Sequence, residues 1–161
     1  MTDARALVEI EEADQVVVLT MARPEAMNAM SGALLDALWS HVERVTIRRD
    51  VRVLILQGND RAFSAGADLK ERSEPAGTNI SSGTAAMVGA IERLSAGHVP
   101  TIAAVNGPVR AGGIGIMAAC DLVVVASTVT FAFTEVRVGV APAIISVPIL
   151  ARCGWSKLAA P

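Results

Sequence analysis

The sequence has few aromatic residues, and its positive and negative charges nearly balance. Aromatic side chains make up 3% of the 161 residues, tyrosine is absent, and the formal net charge is −2. Nucleic-acid-binding proteins carry basic surfaces and stack aromatic side chains on bases, so this composition indicates no nucleic-acid partner. The chain is nevertheless 52% apolar, which excludes an intrinsically disordered protein.

Cysteine is also scarce. Cys120 and Cys153 are too few and too far apart for a disulfide scaffold or a zinc cluster. Both stand in apolar surroundings, so we expect two buried thiols in a reducing compartment. His98 has no partner at metal-ligand spacing, and no metal site is expected.

Signals for export or membrane insertion are missing as well. The first twenty residues contain several acidic side chains and no basic start followed by an apolar run, which is the reverse of a signal peptide. No apolar stretch reaches the roughly 18 residues that a membrane span requires. These observations predict a soluble, cytoplasmic protein without membrane contact.

What is present is an alternation of strand and helix patterns. The run QVVVLTM (15–21) predicts a strand, and Ser31 predicts the N-cap of a helix with an apolar face. This pattern predicts one α/β domain over residues 1–161. Further strands are predicted at 51–57, 101–105, 122–126 and 129–133, a surface loop at 73–83, and further helices at 84–96 and 143–152.

A first glycine-containing segment, AFSAGADLKE (62–71), follows a buried strand. Its small residues stand where the chain turns toward a helix, and backbone N–H groups at such a turn have no intrahelical acceptor. They could bind an oxyanion or a phosphate. An ordinary strand-to-helix turn would have the same pattern, and spacing alone does not separate the two interpretations.

A second such segment is AAVNGPVRAGGIGIMAACD (103–121), in which Gly113, Gly115 and Ala118 formally match a dinucleotide-binding fingerprint with Glu135 as the ribose ligand. The match is poor, because several residues separate the first glycine from its strand. We favour a different role. N–H groups from both segments could converge on one oxygen, and an oxyanion hole requires such a pair of donors.

Five stretches of the chain resemble one known family. PEAMNAM (24–30), AFSAGADLKE (62–71), PTIAAVNGPVRAGG (100–113), AACDLVVVA (118–126) and FTEVRVGVAP (133–142) are similar to segments of the crotonase superfamily, the enoyl-CoA hydratases and isomerases. The resemblance covers about residues 7–160 and implies a crotonase fold, a spiral of repeated ββα units. The family's C-terminal helical trimerisation part is largely missing here, so a fragment, a truncated gene product and a shortened paralogue remain open.

The resemblance also implies a substrate, a partner and a set of site residues. The substrate would be an acyl-CoA thioester with no separate cofactor, and the protein would form a homo-oligomer, a trimer or a hexamer. The backbone N–H groups of Ala67 and Gly112 would form the oxyanion hole, and Glu135 would be the acid/base. The residues implied to line the coenzyme A path are Ala26, Ala65, Asp68, Leu69 and Lys70, although Lys70 could equally be a solvated lysine.

The chain departs from the family pattern at Gly115, where a standard hydratase has a first glutamate. We expect Glu135 to lie among apolar side chains such as Phe131, Phe133 and Val140, and Gly115→Glu to supply the missing carboxylate. The leading hypothesis is an enoyl-CoA hydratase, because APAIIS (141–146) resembles hydratases of the methylglutaconyl type, which have one glutamate. The alternatives are an enoyl-CoA isomerase that uses Glu135 alone and a catalytically silent acyl-CoA-binding protein.

Overall fold

A computed structural model describes residues 6–71 and 82–154 of the chain. The strands form a five-stranded sheet in the order β1-β2-β3-β4-β6 and a second, two-stranded sheet of β5 and β7. The strands are β1 (Val8–Ala13), β2 (Val16–Met21), β3 (Val53–Gln57), β4 (Thr101–Val105), β5 (Val109–Arg110), β6 (Leu122–Val125) and β7 (Phe131–Ala132).

Within residues 6–71 and 82–154, four α-helices alternate with these strands, which confirms the predicted α/β class. They are α1 (Gly32–Thr46), α2 (Ser82–Ala96), α3 (Gly112–Ala119) and α4 (Ala143–Cys153). No helix in the described part of the chain is long and apolar enough to cross a membrane. Most of the loop predicted at 73–83 falls outside the described residues.

Helix α1 forms as its sequence predicts. The hydroxyl of Ser31 accepts a hydrogen bond from the N–H of Leu34 at 3.2 Å, which caps the first turn. The apolar residues at helical spacing all face the core and are at most 6% exposed. They are Leu34, Leu35, Leu38, Trp39, Val42 and Val45.

Strand β1 was not predicted, because its sequence VEIEEA is dominated by glutamate. It pairs antiparallel with β2 at one edge of the sheet, and only Val8 of its side chains is buried. Asp14 and Gln15 form the connecting turn with φ values of +50° and +67°. Charged residues on an edge strand prevent pairing with another chain, so the strand's low hydrophobicity follows from its place in the sheet.

The central strands β2, β3, β4 and β6 run parallel. Their carboxyl ends therefore share one edge of the sheet, which is where ligands bind in open α/β sheets. The segments that leave β2, β3 and β4 at this edge are residues 22–31, 58–71 and 106–111. These segments contain most of the residues that the sequence marks as functional.

Gly115 lies where α3 packs against α4. A Cβ built on Gly115 would lie 2.8 Å from Ile145 Cβ and 3.3 Å from Ile145 Cα, and it would contact Ile145 Cγ2 more closely still. The space beside Gly115 is therefore occupied by α4. Gly115→Glu, which we expected to supply a second carboxylate, would therefore have to displace Ile145 or α4, and its effect on hydration stays a prediction.

The two cysteines differ in exposure. Cys120 is fully buried at the end of α3, and burial raises the pKa of its thiol to about 12. Cys153, which we expected to be buried, is exposed. It ends α4 at the rim of a groove between α3, α4 and β7, so its apolar sequence neighbours do not cover it.

We predict that Gly115→Ala lowers the free energy of unfolding by about 1–3 kcal/mol, because the added methyl group overpacks the contact with Ile145. Gly89→Ala in α2 is the matched control. Its Cβ would meet only the flexible end of Arg93, with Nη1 at 2.9 Å, so we expect a gain of about 0.5–1 kcal/mol from helix propensity. Urea unfolding measures both variants. Equal stabilisation of the two would contradict close α3–α4 packing.

We also predict that iodoacetamide modifies the native protein at Cys153 and leaves Cys120 unmodified. The thiolate is the reactive species, and the Cys120 thiol is buried with a raised pKa. Peptide mass spectrometry locates the label, and unfolding in urea serves as the control that exposes both cysteines. Rapid labelling of Cys120 in the native protein would show that the end of α3 opens readily.

Candidate functional site

Two segments that are far apart in sequence meet beside β5. Ser64 forms a parallel bridge with Val109, and the N–H of Arg110 donates to the carbonyl of Ser64 at 2.9 Å. Gly66 has φ +89°, and a Cβ on it would lie 2.7 Å from the Cβ of Ala111. Residues 64–67 and 109–112 therefore pack backbone against backbone, and only glycine allows this distance.

The direction of the Ala67 amide follows from a short ladder with Met30. The N–H of Met30 donates to the carbonyl of Gly66 at 2.8 Å, and the N–H of Asp68 donates to the carbonyl of Met30 at 3.2 Å. Because successive residues of an extended segment point to opposite sides, the N–H of Ala67 points away from Met30. Ala67 is exposed, and its N–H has no acceptor among the described residues.

Gly112 is the first residue of α3, so its N–H has no acceptor within the helix. The preceding residue, Ala111, has φ +47°, a conformation that is uncommon for a residue with a side chain. A Cβ on Gly112 would lie 2.8 Å from Met30 Cε and 2.9 Å from Met87 Cε. Two methionine methyl groups therefore border this end of the helix, which lies next to the Gly66–Ala111 contact.

Glu135 follows β7, the strand that pairs with β5. Strands β5 and β7 run parallel, and the N–H of Ala111 donates to the carbonyl of Ala132 at 3.1 Å. After β5 the chain continues to Gly112, and after β7 it continues to Glu135. Because the two strands are parallel, the chain leaves both of them in the same direction. Oε2 of Glu135 is buried and has no hydrogen-bond partner among the described residues.

The side chain of Asp68 forms an ion pair with Arg23. Oδ2 lies 2.6 Å from Nη1 of Arg23, and the Asp68 side chain is only 7% exposed. The guanidinium holds the pKa of the Asp68 carboxyl below its usual range. Oδ1 accepts a hydrogen bond from the N–H of Lys70 at 3.0 Å. Both carboxylate oxygens thus have partners within the protein.

Asn28 is a buried polar residue that the sequence reasoning missed. Its Nδ2 donates to the carbonyls of Ala62 and Phe63 at 2.9 and 3.2 Å, and its Oδ1 accepts from the N–H of Arg23 and from Asn59 Nδ2. Its φ is +53°, which asparagine tolerates better than most residues. Its position in PEAMNAM was the available signal, but its partners lie in segments that are distant in sequence.

The residues that the resemblance assigns to the coenzyme A path lie in the segments that follow β2 and β3. The N–H of Ala65 donates to the carbonyl of Met27, the residue after Ala26, at 2.9 Å. Leu69 and Lys70 are exposed beyond Asp68. The structure therefore joins the segment of Ala26 to the segment of Ala65 and Asp68, with Leu69 and Lys70 at the surface.

An apolar groove of about 230 Å³ lies between α3, α4 and β7. Phe131 and Phe133, which we expected near Glu135, line it and are 46% and 41% exposed. Among the described residues, its walls do not include Ala67, Gly112 or Glu135. The remaining wall residues are Ile114, Met117, Ala118, Ala132, Ile149, Arg152 and Cys153.

Known proteins resemble this chain in sequence and in structure. The 2,3-dehydroadipyl-CoA hydratase of Escherichia coli is 35% identical over 83% of this chain and 51% of its own length. An enoyl-CoA isomerase/hydratase of Mycosarcoma maydis is 35% identical over 77% of this chain and 48% of its own. The chain thus spans about half the length of these curated relatives.

The crystal structure of an enoyl-CoA hydratase from Mycobacterium smegmatis superposes with a TM-score of 0.87. It is 32% identical, and the match covers 93% of this chain and 59% of that one. This agreement confirms the crotonase fold expected from the sequence. The sequence pattern of the enoyl-CoA hydratase/isomerase family matches residues 11–159. The chain therefore belongs to the enoyl-CoA hydratase/isomerase family of the crotonase superfamily.

Proposed function

We propose that the protein adds water to a 2-enoyl-CoA thioester through an enolate that is stabilised by the N–H groups of Ala67 and Gly112. The observation that supports this proposal is the close packing of residues 64–67 on 109–112, because each stretch ends with an N–H group, at Ala67 and at Gly112, that has no acceptor among the described residues. Paired donors aimed at a developing negative charge stabilise it most when they are held in place before the reaction.

Glu135 would move the proton. Its carboxylate takes a proton from water while the water oxygen bonds to C3, and the electrons of the double bond move to the thioester oxygen to form the enolate. The enolate then returns its electrons to C2, which takes the proton from Glu135. The net change is the addition of one water molecule, and the carboxylate is regenerated. The buried, unpartnered Oε2 supports this role, because no protein donor occupies it among the described residues.

Isomerisation of a 3-enoyl to a 2-enoyl thioester is the second candidate. Glu135 would remove a proton from C2 and return it to C4, so the double bond moves while one carboxylate does all the work. The packing of Ile145 on Gly115 favours this reaction, because it leaves no room for a second carboxylate there. The third candidate is a silent acyl-CoA-binding protein, which would bind thioester without either conversion.

We propose that the protein assembles as a homo-oligomer, a trimer or a hexamer. Apolar side chains are exposed along the later part of the chain, and monomeric proteins seldom expose large apolar patches. Light scattering during gel filtration should give three or six times the chain mass of 16.7 kDa. A mass of one chain would contradict the proposal. The exposed residues are Leu122, Val124, Val125, Phe131, Phe133, Val136, Val138 and Val147.

We predict that Glu135→Gln lowers turnover by about 10²–10⁴-fold while the affinity for acyl-CoA stays the same, because the amide keeps the shape but cannot exchange the proton. Loss of conjugated enoyl absorbance with crotonyl-CoA reports hydration, and its gain with 3-hexenoyl-CoA reports isomerisation. Calorimetry with the same thioesters measures affinity.

Glu43→Gln on the exposed face of α1 is the matched control and should keep full activity. Turnover that survives Glu135→Gln would show that another group carries the proton. If the unmodified protein binds the thioesters and converts neither, the silent binding protein is the correct alternative.

A further inference from the structure

The Arg23–Asp68 ion pair joins the two sides of the ladder that aims the Ala67 amide. Arg23 precedes the segment that ends at Met30, and Asp68 directly follows Ala67. Nη1 of Arg23 donates both to Oδ2 of Asp68 at 2.6 Å and to the carbonyl of Ala29 at 2.9 Å. One guanidinium nitrogen therefore holds the residue before Met30 and the residue after Ala67.

The backbone contacts between these two segments are few. The ladder consists of the bonds from Met30 to Gly66 and from Asp68 to Met30, together with the bond from Ala65 to Met27. An isolated bridge of this length has little cooperativity, unlike a strand inside a sheet. A side-chain clamp at its end has a large influence on its geometry, particularly where the Asp68 side chain is shielded from water.

We propose that Arg23 is a positioning residue which, through its ion pair with Asp68, fixes the direction of the Ala67 N–H toward the thioester oxygen. This inference rests on the proposed function. Arg23 would act through Asp68 and the Met30 ladder, without touching substrate. Its effect falls on the transition state, because the negative charge on the oxygen is largest there.

Activity measurements on Arg23→Gln, Arg23→Lys and Asp68→Asn test the proposal. We expect Arg23→Gln to lower kcat by about 10–100-fold, less than the complete loss of an oxyanion donor, and KM to change by less than about threefold. Arg23→Lys keeps a charge opposite Asp68 and should recover part of the loss. The double variant Arg23→Gln/Asp68→Asn should be no slower than the worse single variant, because both changes break the same pair.

Arg48→Gln is the matched control. Arg48 is also an ion-paired arginine, but it contacts the exposed carboxylates of Glu12 and Asp50, which lie outside the site. We expect wild-type kcat for this variant. A comparable fall in kcat in Arg48→Gln would overturn the proposal, because loss of any surface ion pair would then suffice.

Amide hydrogen exchange measures the positioning without turnover. In Arg23→Gln the N–H groups of Met30 and Asp68 should exchange at least about tenfold faster, while the Leu54 N–H, bonded to Pro100 in the central sheet, stays protected. Unchanged exchange at Met30 and Asp68, or equal acceleration at Leu54, would overturn the proposal. Absence of turnover in the unmodified protein would contradict the proposed function, whereas these exchange rates still decide whether Arg23 holds the ladder.

Discussion

The close approach of two backbone segments beside β5 is the constraint on which the candidate site depends. Gly66 and Ala111 come so near that a side chain at 66 would collide with Ala111, and a side chain at Gly113 would collide with Ser64. Neither glycine can be explained by its own segment alone. Their missing side chains let the two backbones touch, which the proposed convergence of the Ala67 and Gly112 N–H groups on one atom requires. The strand order supplies this contact, because β3 and β4 are neighbours and release their segments at the same edge of the sheet.

Buried polar side chains hold one of these two segments, the one after β3, against the segment after β2. Asn28 uses its carbonyl and amide groups to join the segment after β2 to the segment after β3, in a place with no exposure to water. The hydroxyl of Ser64 donates to the carbonyl of Asn28 and accepts from the N–H of Gly66. Buried polar groups are costly when unpaired, so these bonds penalise any shift of one segment against the other. These bonds hold the segment that contains Ala67 in place against the segment after β2.

Local patterns were sufficient to predict the elements whose partners are close in sequence. Helix α1 could be predicted from its N-cap and its apolar spacing, and the central strands from short β-branched runs. Strand β1 was missed because an edge strand needs no apolar alternation, and Asn28 because its hydrogen bonds reach 34 residues along the chain. The exposure of Cys153 and the contact of Gly115 with Ile145 depend on how α4 docks, which its own residues do not reveal. Ala67, Gly112 and Glu135 were named through resemblance, and the packing that joins their segments became visible only in three dimensions.

The α3–α4 contact also limits the chemistry that the site can perform. A carboxylate side chain at position 115 of α3 would require the volume that Ile145 occupies, so the packing of α4 excludes it there as long as Ile145 stays in place. With one carboxylate, every proton that leaves one carbon or a water molecule must return from the same group. Under the proposed function, hydration and isomerisation would share the enolate and the proton carrier, and they would differ in whether a water molecule or C4 lies next to Glu135. Specificity between the two reactions becomes a question of which ligand shape brings that atom to the carboxylate. The packing of α4 on Gly115 therefore bears on the proposed acid/base chemistry at that one position and does not choose the substrate.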